Sequence, residues 1–448
     1  MTVHGDDFTC SGSTADLSWL EFKMKQQYEI KSEILGPEKG QKQQVRILNR
    51  ILTWGEQGIE YEPDQRHAEI AIRELGLEGS NPAPTPGSRE DLSLASVPTN
   101  AGGVEVVDES PELGPREASR YRGIAARLNY LAQDRADLQY ACKEASRRMS
   151  KPRDDDWRLL KRIGRYLAGA PRFSQRFDWQ DEDQELHTYC DSDWAGCRST
   201  CRSTSGGVVL RGSHSLKTWS STQATVALSS AEAELYALTK GASQTLGMIS
   251  LLDDFGVDTG ATLFTDASAA IGIVKRAGLG KLRHLNVRYL WLQDAIKQEQ
   301  LGMEKVHGLE NPADLFTKNL AAPLMQKHLK NIGMQTDVGR HEAAPELAAI
   351  NEVKEDEWYE DDEIIERAHQ KPRIELFTPR RVAGAPPCRS LAAIRITNGR
   401  YVDTGETFER VDQWTTRSTA HMQMRARWTG TTRFMKLSHE ARKGFEIV

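Results

Sequence analysis

Apolar and polar residues follow two different periods between residues 186 and 320. Short strand-like runs come first and are joined by tight turns: HTYCDSDW, GGVVLRG and SLKTWSS. Two later strands, ATLFTDA and MEKVHG, each follow a stretch with helical periodicity. These stretches are SSAEAELYALTKGASQTLGMISLL and HLNVRYLWLQDAIKQ, respectively. Strands joined by turns form an antiparallel meander, and strands that follow helices join it by crossovers. The pattern therefore predicts an α/β (α+β) fold with a mixed five-stranded sheet and flanking helices.

The rest of the chain divides into segments of different composition. Residues 1–85 mix strand-like and helical pieces, and residues 114–180 contain three helical patterns. Between them, residues 86–113 are rich in Pro, Gly, Ser and acidic side chains, which predicts an exposed, disordered linker. Residues 323–448 carry an acidic run and then become Arg-rich, so we expect a partly disordered tail of unknown function.

Composition excludes several classes of protein. The chain has 448 residues, 38% of them hydrophobic, and no apolar run approaches the roughly 20 residues that a membrane span needs. The N-terminal MTVHGDDF lacks the layout of a secretory signal, so we expect an intracellular protein without a membrane partner. Six cysteines in a chain of this length do not suggest a disulfide framework or a paired zinc motif.

Four acidic residues stand out by their sequence contexts. They are Asp191 in TYCDSDWAG, Glu234 in LSSAEAELYAL, Asp266 in LFTDASAAIGI and Asp314 in ENPADLFTK. Cleavage of a phosphodiester with two divalent ions requires carboxylates from separate elements to converge, because the ions bracket the attacking and leaving oxygens. The chain contains a set of carboxylates suited to this chemistry.

Other interpretations of single residues remain open. Asp193 projects from the same face of its strand as the first proposed ligand and is its chief competitor. Ser229 and Glu232 form an S-x-x-E capping box, which leaves Glu234 available for a metal ion. Taken alone, Asp266 at a strand end would be read as a helix cap. The joint occurrence of all four residues favours the metal site.

These motifs resemble a known family. Residues 117–322 are similar to the end of a copia-type LTR-retrotransposon Pol polyprotein. The matching stretches are YRGIAARLNYLAQDRADLQYA, MSKPRDDDWRLLKRIGRYLAG, DSDWAGC, RSTSGGVVL, WSSTQATVALSSAEAELYAL, FTDASAAI, RHLNVRYLWLQD and NPADLFTK. Residues 1–85 resemble the palm and thumb at the end of the same polyprotein's reverse transcriptase. The resemblance implies that residues 186–322 form a ribonuclease H domain, preceded by a truncated reverse-transcriptase remnant.

The family also implies a reaction. Asp191, Glu234, Asp266 and Asp314 would bind two Mg²⁺ ions, for which Mn²⁺ can substitute, and the RNA strand of an RNA–DNA hybrid would be cleaved. His307, in the loop before the last carboxylate, matches a histidine that assists proton transfer or product release. Further expected partners are other retroelement Pol or Gag products, in a cytoplasmic particle or in the nucleus.

Basic and hydroxyl side chains supply candidate contacts to the hybrid. By resemblance, Arg202, Ser203 and Thr204 in RSTSG lie near the site. The side chains that we expect to contact the nucleic-acid backbone are those of Lys281, Arg283, His284 and Arg288. The alternative for this second group is the solvated face of an amphipathic helix.

The segment that resembles a reverse transcriptase contains a pair of aspartates. Asp6 and Asp7 in HGDDF resemble the paired aspartates of the polymerase, but a nucleotidyl-transfer site needs a further carboxylate from an earlier strand. We therefore expect these aspartates to be vestigial and reverse-transcriptase activity to be lost by truncation. Two hypotheses remain for the whole chain: an active ribonuclease H, or an inactive retroelement relic or domesticated protein that binds nucleic acid without cutting it.

Overall fold

The computed structural model describes residues 1–4, 7–88, 110–181, 184–197, 199–278, 280, 289–347 and 431–437. All of these residues belong to one compact unit, which contains three β-sheets. Among them, no helix is both long and apolar enough to cross a membrane.

The first sheet has four strands and includes a strand from the far end of the chain. Its strand order is β1-β2-β14-β3, and β14 pairs antiparallel with both β2 and β3. Helix α1 begins after Ser13, whose hydroxyl accepts a hydrogen bond from the Asp16 amide at 3.2 Å. The elements are β1 Thr2–His4, β2 Asp7–Gly12, α1 Thr14–Gln27, β3 Ile30–Leu35 and β14 Thr431–Leu437.

The second sheet is entirely antiparallel, with strand order β13-β7-β6-β5-β4. The two-residue turn between β4 and β5 is formed by Leu48 and Asn49, whose φ angles of 46° and 66° are those that a type I′ hairpin turn requires. The strands are β4 Gln44–Ile47, β5 Arg50–Trp54, β6 Gly58–Glu62, β7 Arg172–Asp178 and β13 Met334–Asp337.

Four helices pack beside this second sheet. Tyr121, Leu128 and Leu160 are fully buried in their shared apolar core, which also includes Phe173 of β7. The helices are α2 Arg66–Glu74, α3 Pro115–Leu131, α4 Gln139–Ser146 and α5 Trp157–Gly169, with 3-10 turns at Ala136–Leu138 and Asp154–Asp156.

The third sheet confirms the predicted α/β class and the mixed five-stranded sheet. Its order is β10-β9-β8-β11-β12, in which β8, β9 and β10 form an antiparallel meander while β11 runs parallel to β8 and β12. The strands are β8 Leu186–Asp193, β9 Thr204–Arg211, β10 His214–Thr222, β11 Ala261–Thr265 and β12 Gly302–Lys305. This is the strand order of the ribonuclease H fold.

Helices flank this third sheet, and the longest one lies against its central strand. They are α6 Ser230–Asp254, α7 Ser268–Val274 and α8 Trp291–Lys297, with 3-10 turns at Gly308–Glu310 and Pro312–Phe316. The last helix, α9 Ala322–Asn331, lies instead against β13. The close approach of α6 to β8 requires a glycine, because a Cβ at Gly241 would lie 2.2 Å from the Sγ of Cys190. This close packing fixes the position of β8 around Cys190 relative to α6.

Ordered structure is present at the edges of the predicted linker and of the predicted tail. The end of the expected linker is packed, since the Leu113 amide donates to the Pro152 carbonyl at 2.9 Å and the Asp154 amide to the Pro111 carbonyl at 3.0 Å. The ordered fold also continues past residue 322, because α9 and β13 follow it and β13 pairs with β7. The residue composition of the predicted tail did not indicate that β13 pairs with β7. Residues 89–109 and 348–430 lie outside the described residues.

A buried ion pair connects the loop between α3 and α4 to the end of α5. The Arg135 side chain is 1% exposed and contacts Asp137 at 2.7 Å. It also donates to the carbonyls of Ala170 and Pro171 at 2.9 and 3.3 Å. The hydroxyl of Tyr166 donates to Asp137 at 2.8 Å. Each charge in this cluster is therefore compensated.

We predict that Arg135→Met lowers the free energy of unfolding by about 3–5 kcal/mol, because Asp137 would remain buried without its counter-ion. Urea denaturation followed by circular dichroism measures the loss. Replacing Arg135 and Asp137 together by Met and Leu should cost less, since no uncompensated charge remains. The control is Arg165→Met, which replaces an exposed arginine whose side chain donates a hydrogen bond to the Asn81 carbonyl. An equal loss in the control would contradict the argument.

Candidate active site

Three of the four predicted carboxylates converge. One oxygen from each of Asp191, Glu234 and Asp266 lies within 4.8 Å of the others. Asp191 lies near the end of β8, and Asp266 directly follows the parallel neighbour β11. Carboxyl ends of parallel strands meet at one edge of a sheet, which is where α/β proteins place their ligands. Glu234 reaches this edge from the start of α6.

Asp314 lies beside this trio and is connected to it by a lysine. The Nζ of Lys318 is 2.7 Å from Asp314 Oδ1 and 3.6 Å from Asp191 Oδ2. The hydroxyl of Thr317 donates a hydrogen bond to the same Asp191 oxygen. The Nδ2 of Asn311 donates to the carbonyl of Cys190 at 3.0 Å and holds this segment against β8.

Sequence reasoning missed Thr317 and Lys318. Both stand in the NPADLFTK stretch that identified Asp314, and Lys318 follows Asp314 at the i,i+4 spacing. This spacing could have predicted the contact between Lys318 and Asp314. The contact between Thr317 and Asp191 joins positions far apart in the chain, and local patterns carry no signal for it.

Burial makes the carboxylates of the site unusually basic. It raises the pKa of Glu234 to about 8, with the charge of Asp191 as the second cause. The same two causes raise the pKa of Asp314 to about 7. Burial also raises the pKa of Asp191, although Lys318 and the Thr317 hydroxyl oppose the change. The site thus holds protons that a divalent cation would replace.

The trio suits a hard divalent cation. All three donors are carboxylates, the ligand type that Mg²⁺ prefers. Glu234 Oε1 accepts hydrogen bonds from the amide and hydroxyl of Ser192 at 3.2 and 3.0 Å. Its buried Oε2 has no hydrogen-bond partner among the residues that the structure describes. A buried carboxylate oxygen without a donor is costly, and metal coordination would compensate it.

The competing acidic residues have other partners. Asp193 accepts a hydrogen bond from the Thr204 amide and lies outside the converging trio. Burial raises the pKa of Asp193 to about 6. Glu232 accepts from the Leu228 amide at 2.9 Å and from the Tyr236 hydroxyl. It therefore stabilises the start of α6 as expected, with the amide partner one residue before Ser229.

The loop that carries His307 passes close to Asp266. A Cβ at the next residue, Gly308, would lie 3.1 Å from Asp266 Oδ2. His307 is exposed, and its Nδ1 accepts a hydrogen bond from the Leu309 amide at 3.3 Å. Its catalytic role stays a prediction.

The predicted contacts to nucleic acid differ in exposure. Arg202 is exposed, whereas Ser203 and Thr204 are 0% and 1% exposed. The Ser203 hydroxyl accepts from the Ala195 amide at 3.0 Å, and Lys143 donates to the Thr204 hydroxyl. In this structure the two hydroxyls hold the loop, which leaves Arg202 as the accessible member.

Several predicted residues lie outside the described part of the chain. They are Asp6, Lys281, Arg283, His284 and Arg288. Asp7 begins β2 and is the register partner of His4 in β1.

Known proteins resemble the chain over about half of its length. No family model matches it. The Retrovirus-related Pol polyprotein from transposon RE2 of Arabidopsis thaliana is 32% identical over 221 residues, which are 49% of this chain and 15% of that protein. The corresponding protein from transposon TNT 1-94 of Nicotiana tabacum is 25% identical over 277 residues, which are 61% of this chain and 20% of that protein. The chain thus spans only a small part of these relatives.

A solved structure shows a weak likeness. It is the N-terminal ribonuclease H domain of a Mycobacterium tuberculosis protein, solved as a fusion with maltose-binding protein. The identity is 15%, the match covers 33% of this chain and 97% of that one, and the TM-score is 0.21. A score this low supports no argument, so the fold assignment rests on the strand order of the third sheet. The sequence relationship is the stronger finding, and it confirms the resemblance seen in the motifs: over about half of its length, the chain is similar to copia-type, retrovirus-related Pol polyproteins of transposons.

Proposed function

We propose that this protein cleaves the RNA strand of RNA–DNA hybrids by metal-dependent hydrolysis. The observation that carries the proposal is the convergence of Asp191, Glu234 and Asp266 within 4.8 Å at the carboxyl ends of two parallel strands. The sheet order and the Pol relatives support the same conclusion. The substrate is an RNA–DNA hybrid, and 2′-hydroxyl groups in its groove distinguish RNA from DNA.

Asp191, Glu234, Asp266 and Asp314 are the residues that would hold two Mg²⁺ ions, for which Mn²⁺ can substitute. When bound, Mg²⁺ lowers the pKa of a water ligand and neutralises charge that develops on the phosphate. Ser192 orients Glu234 through two hydrogen bonds. His307 is exposed in the loop beside Asp266, a position suited to accept or donate a proton. Other Pol or Gag products of the same element are the proposed protein partners, in a cytoplasmic particle or in the nucleus.

We expect Asp191→Asn, Glu234→Gln and Asp266→Asn each to lower the rate of hybrid cleavage by at least about 100-fold, because each removes a charged metal ligand. The assay uses a labelled RNA strand annealed to DNA, with Mg²⁺ or with chelator. Asp254→Asn is the matched control, since Asp254 is an exposed carboxylate at the far end of α6.

Chelator should abolish cleavage, and the control variant should cut at the wild-type rate. Persistent cleavage in all three site variants would refute the assignment. Wild-type protein that binds the hybrid but does not cut it with either Mg²⁺ or Mn²⁺ would support the alternative, a nucleic-acid-binding relic.

The raised pKa of Glu234 predicts a pH dependence. Its carboxyl pKa rises from 4.5 to about 8 on folding, so the folded protein binds this proton more tightly than the unfolded chain. The stability that it contributes is complete below the unfolded pKa and is lost as the pH rises through the folded pKa. Divalent ions bind the ionised carboxylate, so their affinity rises over the same window.

The increase in Tm that a fixed concentration of Mg²⁺ causes should therefore grow from about pH 6 to about pH 9. Differential scanning fluorimetry with Mg²⁺ and with chelator measures it. Glu234→Gln should reduce the pH dependence, since glutamine does not titrate, and Asp314, with a pKa of about 7, should account for the part that remains. If the increase in Tm caused by Mg²⁺ stays constant or falls with rising pH, the prediction is contradicted.

A further inference from the structure

We propose that Lys318 is the internal counter-cation of the carboxylate site, and that divalent ions bind in competition with its ammonium group. The inference rests on the proposed metal-dependent function, but it concerns a cationic residue outside the set of metal ligands. Lys318 would set how much divalent cation the site requires, and would stabilise the protein when that cation is scarce.

The position of the lysine carries the first step. Its Nζ lies 2.7 Å from Asp314 Oδ1 and 3.6 Å from Asp191 Oδ2, between a member of the converging trio and the carboxylate beside it. The Thr317 hydroxyl donates to the same Asp191 oxygen, so two adjacent residues both contact this carboxylate. A divalent cation bound near Asp191 and Asp314 would therefore lie close to the Lys318 ammonium group, and the two positive charges would repel each other.

The second step concerns exposure. The side chains of Asp191 and Asp314 are 4% and 11% exposed, whereas that of Lys318 is 39% exposed. Lysine carries its charge on a flexible four-carbon stem, and ammonium is strongly hydrated. Lys318 can therefore withdraw into solvent when an ion arrives, while the buried carboxylates keep their positions.

The third step is electrostatic. Four carboxylates and one ammonium group carry a net charge of about −3 when all are ionised, and about −4 without the lysine. Two positive charges a few ångströms apart repel each other, even with the screening of water. Removing the lysine charge should tighten divalent-ion binding and destabilise the metal-free protein. A purely structural ion pair would produce only the loss of stability.

A second lysine provides a matched control. Lys327 contacts Glu310, and its side chain is 41% exposed, close to the exposure of Lys318. Its partner Glu310 is 54% exposed and lies outside the converging trio. Lys327→Met therefore removes a lysine whose exposure is similar to that of Lys318, without changing the charge beside Asp191.

The experiment compares the full-length wild-type protein with Lys318→Met, Lys318→Arg and Lys327→Met at one fixed pH. Mn²⁺ alone is the probe. Isothermal titration calorimetry gives its Kd, and scanning fluorimetry gives the Tm with chelator and with saturating Mn²⁺. We expect Lys318→Met to bind Mn²⁺ roughly tenfold more tightly than wild type, while its Tm in chelator falls below that of wild type.

Saturating Mn²⁺ should close the gap in Tm between Lys318→Met and wild type. Lys318→Arg keeps the charge and should stay near wild type in both measurements, and Lys327→Met should not change Mn²⁺ affinity. Lys318→Gln also removes the charge, and it replaces Lys318→Met if that variant does not fold.

Unchanged or weaker Mn²⁺ binding by Lys318→Met or Lys318→Gln overturns the inference, as does equally tightened binding by Lys318→Arg. A wild-type protein that does not bind Mn²⁺ overturns both the inference and the proposed function. The expected shifts in Mn²⁺ affinity and Tm, found in a protein that does not cleave the hybrid, would leave the role of Lys318 standing and refute the cleavage proposal alone.

Discussion

Electrostatic repulsion between buried carboxylates is the constraint on which the site depends. Burial and like charge together raise the pKa of Glu234 and Asp314, which means that the folded chain holds these groups where ionisation is unfavourable. Several polar contacts reduce this cost: Ser192 donates twice to Glu234, and Thr317 and Lys318 contact Asp191. An arrangement that is costly without a cation is one that a cation stabilises, and this links the stability of the fold to the proposed chemistry.

The surrounding framework keeps the carboxylates from moving apart. Strand β8 is central in its sheet, between β9 and β11, and α6 packs closely on it at Gly241. The segment with Asp314 is fixed to the same strand by the hydrogen bond from Asn311 to Cys190. Sites of this kind require ligands held by rigid elements, because a shift of about 1 Å changes the geometry that the ions need.

Sequence patterns predicted the parts of the structure that local information determines. The five strands around Asp191 and Asp266 followed from periodicity, and the assignment of Glu232 to the helix cap left Glu234, which lies in the converging trio. Contacts between distant segments were not predictable in this way. Thr317 meets Asp191 only after the chain has folded, and the burial of Ser203 depends on a loop closed by long-range contacts. The pairing of β13 with β7 was not predictable for the same reason, since it joins residues that are remote in the chain.

The pairing of β13 with β7 has a consequence for how the region that carries the candidate site can be moved between proteins. The chain leaves β7 to enter this region and returns in β13, where Met334 is the register partner of Gln175 and Asp337 that of Arg172. Cross-strand partners lie only about 5 Å apart, so the points of entry and exit are adjacent. A unit with adjacent ends can be inserted into a loop of a host protein, or exchanged for a homologue, without separating the flanking segments of the host. The second sheet therefore brings together the two ends of the region between β7 and β13, while Val208 and Leu210 of that region pack in the core shared with the helices beside this sheet.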